Sequence, residues 1–446
     1  MTPEQNAFLR DFFRSVRFRP LEPDDPRYVS LYDKPGLDAE DPVALLARSI
    51  EWTTGQSVQL FSGFRGTGKS TELRRLRRDL QGAGYLVALF DVEDYLNIAV
   101  PVDISDFLMV VTGAFEEAVN DLGWVPEGER RQPFWDRLRD FLDRTRFELG
   151  DFEVRAEVAG LGLGVKANLK TDPTFRRRLQ QHMAGHLGVF VEQVHASIEA
   201  TVRLVWQANP YAAGVVLLVD SIDHIRGTSM NVQEVQSSVE NLFAEQAERL
   251  RLPSLHVVYT VPPYLKVRYP GLSALYGARA LQLLRAVKVR ERGTAEVFKD
   301  GHDALEEVVR ARGAWDELLP SRDTLDRIIG YSGGHLRDLL RMIQEVIVRA
   351  DRLPVDERTI ERAIVQIQSE LLPVPDDDAR WLHRIAQTNE ASLPEMARLP
   401  RLSTLLDTHL VLCYSNGEEW YDVHPLIRER IAEQVQGLER EGEPDA

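Results

Sequence analysis

The segment Gly63-Phe64-Arg65-Gly66-Thr67-Gly68-Lys69-Ser70 constrains this chain more than any other. It fits the eight-position glycine-rich pattern of a phosphate-binding loop, and its flanks agree. Ser57 to Ser62 reads as a short strand before it, and Thr71 to Leu80 as an arginine-rich helix after it. Glycines let the backbone fold tightly and aim its amides at phosphate oxygens, and the helix N-terminus adds the positive end of its dipole. Residues Gly63 through Thr71 are therefore the candidate phosphate cradle. Within it Lys69 is expected to reach the β and γ phosphates and the Ser70 hydroxyl to bind Mg²⁺. A second strand, Tyr85 to Phe90, follows a Gly82-Ala83-Gly84 turn and ends in the acidic cluster Asp91, Glu93 and Asp94, which is the βαβ rhythm of a parallel sheet.

The matching signal is Val215-Val216-Leu217-Leu218-Val219-Asp220, an unbroken apolar run suited to a central parallel strand and ending in a carboxylate at the ligand-bearing edge. Asp220 is the candidate second metal-shell residue. Ser221, Ile222, Asp223 and His224 follow it. Together these residues resemble the P-loop ATPases of the AAA+ class, and within them the STAND signal-transduction ATPases and the related origin-recognition-like branch. Most AAA+ ATPases place a water-activating glutamate directly after the metal aspartate, where this chain has Ser221, a poor base. His224 departs from the second acid usual in STAND members. By resemblance Asp223 is the candidate for polarising the attacking water, with His224 as a helper near neutral pH. The plainer reading makes Asp223 a helix cap.

Three further features agree with the resemblance. Leu255 to Thr260 reads as another strand, and its terminal hydroxyl puts Thr260 where AAA+ proteins carry a polar sensor of the γ-phosphate. Gly330-Tyr331-Ser332-Gly333-Gly334-His335-Leu336-Arg337 looks like the lid motif whose arginine reaches back to the phosphates, so Arg337 is the candidate second sensor. Leu353 to Ile364 looks like the last helix of such a lid. Arg279, just before a candidate strand at Leu283 to Val289, stands where an arginine finger completes a neighbour's site. Arg74, Arg75, Arg77 and Arg78, and later Arg176, Arg177 and Arg178, read first as solvated faces paired with acids rather than as nucleic-acid contacts. The histidines and the single cysteine, Cys413, show no metal-ligand spacing.

At 446 residues the chain has room for about three domains. Its 43% hydrophobic and 28% charged residues are those of a folded globular protein. We divide it into an extended lead-in over 1–40, an α/β core over 41–292, a helical lid over 293–372, a winged-helix domain over 376–435 and an acidic tail over 436–446. The core carries a long insertion at about 100–210, in which Phe152 to Leu169 alternates as a protruding β-hairpin or a sheet edge. Leu372 to Asp378 is the linker. Short helices at about 379–388, 393–398 and 401–408, then an Asn416-Gly417 hairpin between Leu410 to Tyr414 and Trp420 to Val423, make the winged helix.

With 54 basic and 70 acidic residues the net charge is −16, which argues against whole-surface attraction to nucleic acid or membrane. No apolar run reaches the roughly 18 residues of a membrane span, and the start lacks the order of a signal peptide, so a cytoplasmic protein is expected. One cysteine excludes a disulfide framework. The fold class expected is α/β, a parallel P-loop NTPase sheet of AAA+ type with a helical lid and a C-terminal winged helix. The resemblance implies an ATPase switch with ATP or ADP and Mg²⁺ as ligands, a protein effector, and a nucleotide-dependent homo-oligomer. In bacteria such chains commonly act as sensor or regulator ATPases, antiphage defence included. The alternative is a DNA-engaging loader or initiator using the winged helix. Residues 376–446 carry seven arginines, no lysine and fifteen acids, a net −8, which disfavours DNA.

Overall fold

The computed structural model describes the chain apart from residues 33, 35, 38–39, 148–160, 226, 229, 278, 394–397, 416 and 442–446. In chain order the elements are α1 (Pro3–Ser15), α2 (Pro42–Glu51), β1 (Ser57–Gly63), α3 (Lys69–Gly82), β2 (Leu86–Asp91), α4 (Ile104–Asp121), α5 (Phe134–Arg144), α6 (Leu161–Thr171), α7 (Pro173–Ala184) and α8 (Leu187–Ala208). Next come β3 (Val215–Asp220), α9 (Val232–Glu240), β4 (His256–Val261), α10 (Tyr264–Arg268), α11 (Leu272–Tyr276) and β5 (Leu281–Leu284). The rest are α12 (Lys299–Arg310), α13 (Trp315–Leu318), α14 (Arg322–Ser332), α15 (Leu336–Arg349), α16 (Glu357–Glu370), α17 (Asp376–Thr388), α18 (Leu399–Asp407), β6 (Val411–Ser415), β7 (Glu419–Val423) and α19 (Pro425–Glu441). No described helix is long and apolar enough to cross a membrane. The chain forms two compact units. One comprises 1–42, 63–74 and 283–446, the other 43–62 and 75–282.

The second unit is built on the sheet, whose strand order is β2-β3-β4-β1-β5. β2, β3, β4 and β1 pair in parallel, so their carboxyl ends share one edge. Parallel strands are covered on both faces, which is why β3 reads Val-Val-Leu-Leu-Val with every residue buried. In its described residues the insertion is helical. α4 is buried along most of its length, and Phe107 sets its ring 5.6 Å from Tyr259 of β4 and 6.0 Å from Phe243. The expected hairpin at 152–169 is overturned where it can be seen. Residues 161–169 lie in α6, and 152–160 fall outside the described residues. The alternation contains the helical pair Val165 and Leu169, both buried, with residue 167 between them exposed. Lys166, on another side, pairs with Glu117 of α4 at 2.8 Å.

Arg176 is also corrected. Instead of a solvated face, it is fully buried in α7, with Nε 2.7 Å from Asp106 Oδ2 and its other nitrogens donating to the Pro101 carbonyl at 2.8 Å and the Asn97 carbonyl at 3.1 Å. A guanidinium with donors spent on a carboxylate and two carbonyls can leave water without stranding its charge.

The first unit holds the lid and the winged helix. Its lead-in is not extended throughout. α1 is closed by a capping box between Thr2 and Gln5 and buries Leu9 and Phe12, and a Cβ on Gly313 would stand 2.4 Å from the Phe12 ring. Irregular backbone begins only beyond it, at the prolines 20–26. The strand expected at Leu283 to Val289 is shifted to Leu281–Leu284. Beyond it the backbone bonds to the wing and lid instead, Ala286 N–H to the Cys413 carbonyl at 3.1 Å and Val287 N–H to the Gly334 carbonyl at 3.2 Å. β6 and β7 form the wing, with Tyr414 and Trp420 stacked at 4.4 Å. The Tyr414 hydroxyl donates to the Gly333 carbonyl at 2.6 Å. Residues 394–397 of the expected middle helix lie outside the described residues. The first residues of the expected acidic tail, as far as Glu441, continue α19, whose buried stripe is Ile427, Ile431 and Val435.

Removing Arg176 would leave Asp106 buried without its cation. Arg176→Ala is therefore expected to cost about 3–5 kcal/mol in a urea titration, while exposed Arg177→Ala stays within about 0.5 kcal/mol. A loss below about 1 kcal/mol for Arg176→Ala would show the pair to be dispensable.

Candidate nucleotide-binding site

The phosphate loop leaves β1 at Gly63 and enters α3 at Lys69. Gly66 and Gly68 have φ of +99° and +102°, values open to glycine and strained for other residues, so the loop's tight turn depends on them. Thr67 closes that turn, its N–H and hydroxyl both bonding to the Phe64 carbonyl at 3.3 and 2.8 Å. Lys69 is buried and its Nζ donates to the Gly63 and Phe64 carbonyls at 2.7 and 3.0 Å. The ammonium thus lies across the loop itself. Ser70 and Thr71 stand in the first turn of α3; the Thr71 N–H donates to the Gly68 carbonyl at 2.9 Å, and the Thr71 hydroxyl accepts the Leu21 N–H at 3.1 Å. Arg65 is exposed and Phe64 buried.

The same unit brings Arg337 to this loop. Its backbone N–H donates to the Gly66 carbonyl at 3.2 Å, and the guanidinium lies 4.7 Å from the centre of the Phe18 ring. His335, two residues earlier, places Nε2 2.7 Å from the Arg65 carbonyl. The contact is so close that a Cβ on residue 66 would lie 2.7 Å from Arg337 Cβ and 2.8 Å from His335 Nε2. Gly333 and Gly334, both at positive φ, let α14 end and α15 begin within two residues.

In the sheet unit, Asp220 ends β3 and is buried. Its Oδ1 accepts the N–H of Ser221, which is held in the left-handed region at φ 66°. Ser221 in turn donates its hydroxyl to Asp91 Oδ2 at 2.8 Å, Asp91 being the register partner of Asp220 on β2. A single 3₁₀ turn, Ile222–His224, carries Asp223 buried and His224 partly exposed. His224 Nδ1 bonds to Glu93, and Nε2 lies 3.8 Å from Asp223 Oδ2. Thr260 on β4 is fully buried and its hydroxyl accepts the Ile222 N–H at 3.1 Å, which pins the turn. Asp220, Asp223, His224 and Thr260 are thus one cluster. Sequence reasoning noticed Asp91 and Glu93 as an acidic strand end and gave them no role, because only the β2–β3 register sets them beside Ser221 and His224. Arg279 lies in an exposed turn at φ 59°, and among the described residues no hydrogen bond or ion pair ties it to this cluster.

The residues fit a nucleotide. Positive-φ glycines, a buried lysine and a helix N-terminus are the kinds of group from which a phosphate receptor is made.

No protein-family model and no curated protein sequence matches the chain. Among solved structures, it is similar to the ORC2 protein of Aeropyrum pernix in ADPNP–ADP complexes, with 12% identity and a TM-score of 0.41 over 96% of this chain and 98% of that one. A Walker-type ATPase of Pyrococcus abyssi gives 15% identity and 0.43 over 94% and 99%. The ORC1 protein of Aeropyrum pernix in complex with DNA gives 13% and 0.31 over 99% and 94%. Likeness at this level carries no residue role, ligand or activity to this chain.

Both loop glycines are strained as alanine, yet only residue 66 faces the lid. A Cβ at 68 would meet Leu336 Cδ1 at an ordinary 3.6 Å. Gly66→Ala should therefore lose about 1–3 kcal/mol more than Gly68→Ala in thermal unfolding. Equal melting of the two variants would mean that the loop and α15 are not packed as described.

Proposed function

We propose that this chain is an ATP-binding and ATP-hydrolysing molecular switch of AAA+ type, read out through its helical lid and winged helix. The observation that carries the reading is the loop–lid junction, in which the carbonyls of Arg65 and Gly66 are bonded to His335 and Arg337. Loop amides and Lys69 hold the phosphates. Ser70 offers a hydroxyl and Asp220 a carboxylate as the oxygen donors that would hold Mg²⁺, which would neutralise phosphate charge. Asp223 accepts the proton of the attacking water, and His224 stands by it, oriented by Glu93. Thr260 fixes the turn on which both sit. Arg337 turns its guanidinium from Phe18 to the γ-phosphate as the lid responds. Arg279, exposed, is offered to the site of a second copy in a nucleotide-dependent oligomer.

The wing's attachments support the switch. Asp422 pairs with Arg290 and Arg428, Glu418 with Arg292 and Glu419 with Arg285. A protein effector is the proposed reader of this face. Duplex DNA is disfavoured, since Arg401, the only arginine of α18, is paired with Asp378, and residues 376–446 carry a net −8.

Binding and turnover should separate. Lys69→Ala is expected to weaken ATP binding about tenfold or more, near 1.4 kcal/mol, by equilibrium titration. Asp223→Asn should bind ATP like the parent while steady-state hydrolysis falls about 100-fold. If Asp223→Asn hydrolyses at the parental rate, the base is another group, and His224 is the next to test.

A further inference from the structure

Four ionisable side chains that the nucleotide reading leaves largely unused meet inside the lid and winged-helix unit. His335 caps α15, Asp338 follows one turn later, His409 lies in the turn after α18, and His424 sits between β7 and α19. Their side chains are 0%, 1%, 18% and 0% exposed, so this is an interior cluster. One oxygen is its hub. Asp338 Oδ2 lies 2.7 Å from His335 Nδ1, 3.2 Å from His424 Nε2 and 3.4 Å from His409 Nε2. The rings of His335 and His409 are stacked at 4.7 Å and 20°.

The outer contacts fix the roles of the nitrogens. His335 Nε2 faces the Arg65 carbonyl, which can only accept, so Nε2 carries hydrogen and Nδ1 is the atom turned to Asp338. His424 Nδ1 accepts the Leu426 N–H at 3.3 Å, so its Nε2–H donates to Asp338. His409 Nδ1 is buried without a hydrogen-bond partner. Burial first, and then the charge of His335, push the His409 pKa down to about 2, so its imidazole is neutral at ordinary pH. Asp338 Oδ1 has Arg341 Nη1 at 3.6 Å, leaving Oδ2 to the histidines. One carboxylate oxygen and two imidazole nitrogens, His335 Nδ1 and His409 Nε2, thus lie within 4.8 Å of one another.

We propose that His335 Nδ1, Asp338 Oδ2 and His409 Nε2 form a buried three-ligand site for a divalent transition-metal ion of the zinc class. Two imidazoles and a carboxylate suit Zn²⁺, whereas Mg²⁺ and Ca²⁺ take all-oxygen sets. Ligands about 2 Å from a tetrahedral zinc ion stand about 3.3 Å apart. The 3.4 Å pair already has that spacing, and the 2.7 Å pair needs to open by a fraction of an ångström. The surroundings are those a metal histidine uses. The Arg65 carbonyl takes the Nε2–H of His335, and the His424 Nε2–H steadies the carboxylate. The metal takes the place of the Nδ1 proton, which is released to solvent. It would staple the start of α15 to the turn after α18 and, through His335, reach the phosphate loop.

The test uses the nucleotide-free full chain, stripped with EDTA and titrated with Co²⁺. A tetrahedral visible absorption band should grow to saturation at about one equivalent and be bleached by Zn²⁺. The oxygen donors Ser70 and Asp220 give only a weak octahedral band, so the result is independent of the nucleotide reading. His409→Ala, with His409→Gln as the variant that keeps the side-chain volume, should weaken Co²⁺ binding at least about tenfold while far-ultraviolet circular dichroism stays unchanged. The proposal is overturned if the folded parent develops no tetrahedral band, or if the band survives in both His409 variants.

Discussion

Two backbone carbonyls of the phosphate loop, those of Arg65 and Gly66, are bonded to the start of one lid helix, through His335 Nε2 and the Arg337 N–H. This junction requires glycine at 66 for two separate reasons, the positive φ and the absence of room for a Cβ. Around it the lid and the wing are arranged as attachments to α15. α1 lies against α15, and Asp338, one turn into that helix, collects His409 and His424 from the winged helix. The loop therefore belongs physically to the lid and the wing, and a ligand that rearranges it acts on that unit directly.

The sheet unit contributes a different kind of constraint. Asp91 and Asp220 are neighbours across the β2–β3 ladder, and Ser221 bridges them, donating its N–H to Asp220 and its hydroxyl to Asp91. A small hydroxyl residue in the left-handed region fits this bridge, which gives Ser221 a structural reason to stand where a glutamate was expected. Asp223 and His224 then follow on a turn pinned by Thr260.

What could be read from the sequence was local. The loop, its strand and its helix are adjacent in the chain, and β3 announces itself by five consecutive apolar residues before Asp220. Misreadings came where one pattern serves two structures or where burial depends on distant partners. The glycine-broken alternation near 161–169 suits a strand as well as a helix, and contact with α5 and α7 decided for the helix. Arg176 looked solvated because its carboxylate lies 70 residues away in sequence. His335, Asp338 and His409 have no metal-motif spacing, since the third ligand lies about 70 residues further along the chain. Glu93 beside His224 was invisible for the same reason.

The central claim is that the phosphate loop and the lid respond to nucleotide as one body. Hydrogen exchange of the full chain, read by mass spectrometry with and without ATP and Mg²⁺, tests it most directly. We expect protection to rise together in residues 63–71, in the first turn of α15 at Leu336–Leu340, and in the β6–β7 wing. Protection confined to 63–71, with the amides of α15 and the wing exchanging as in the nucleotide-free protein, would contradict it.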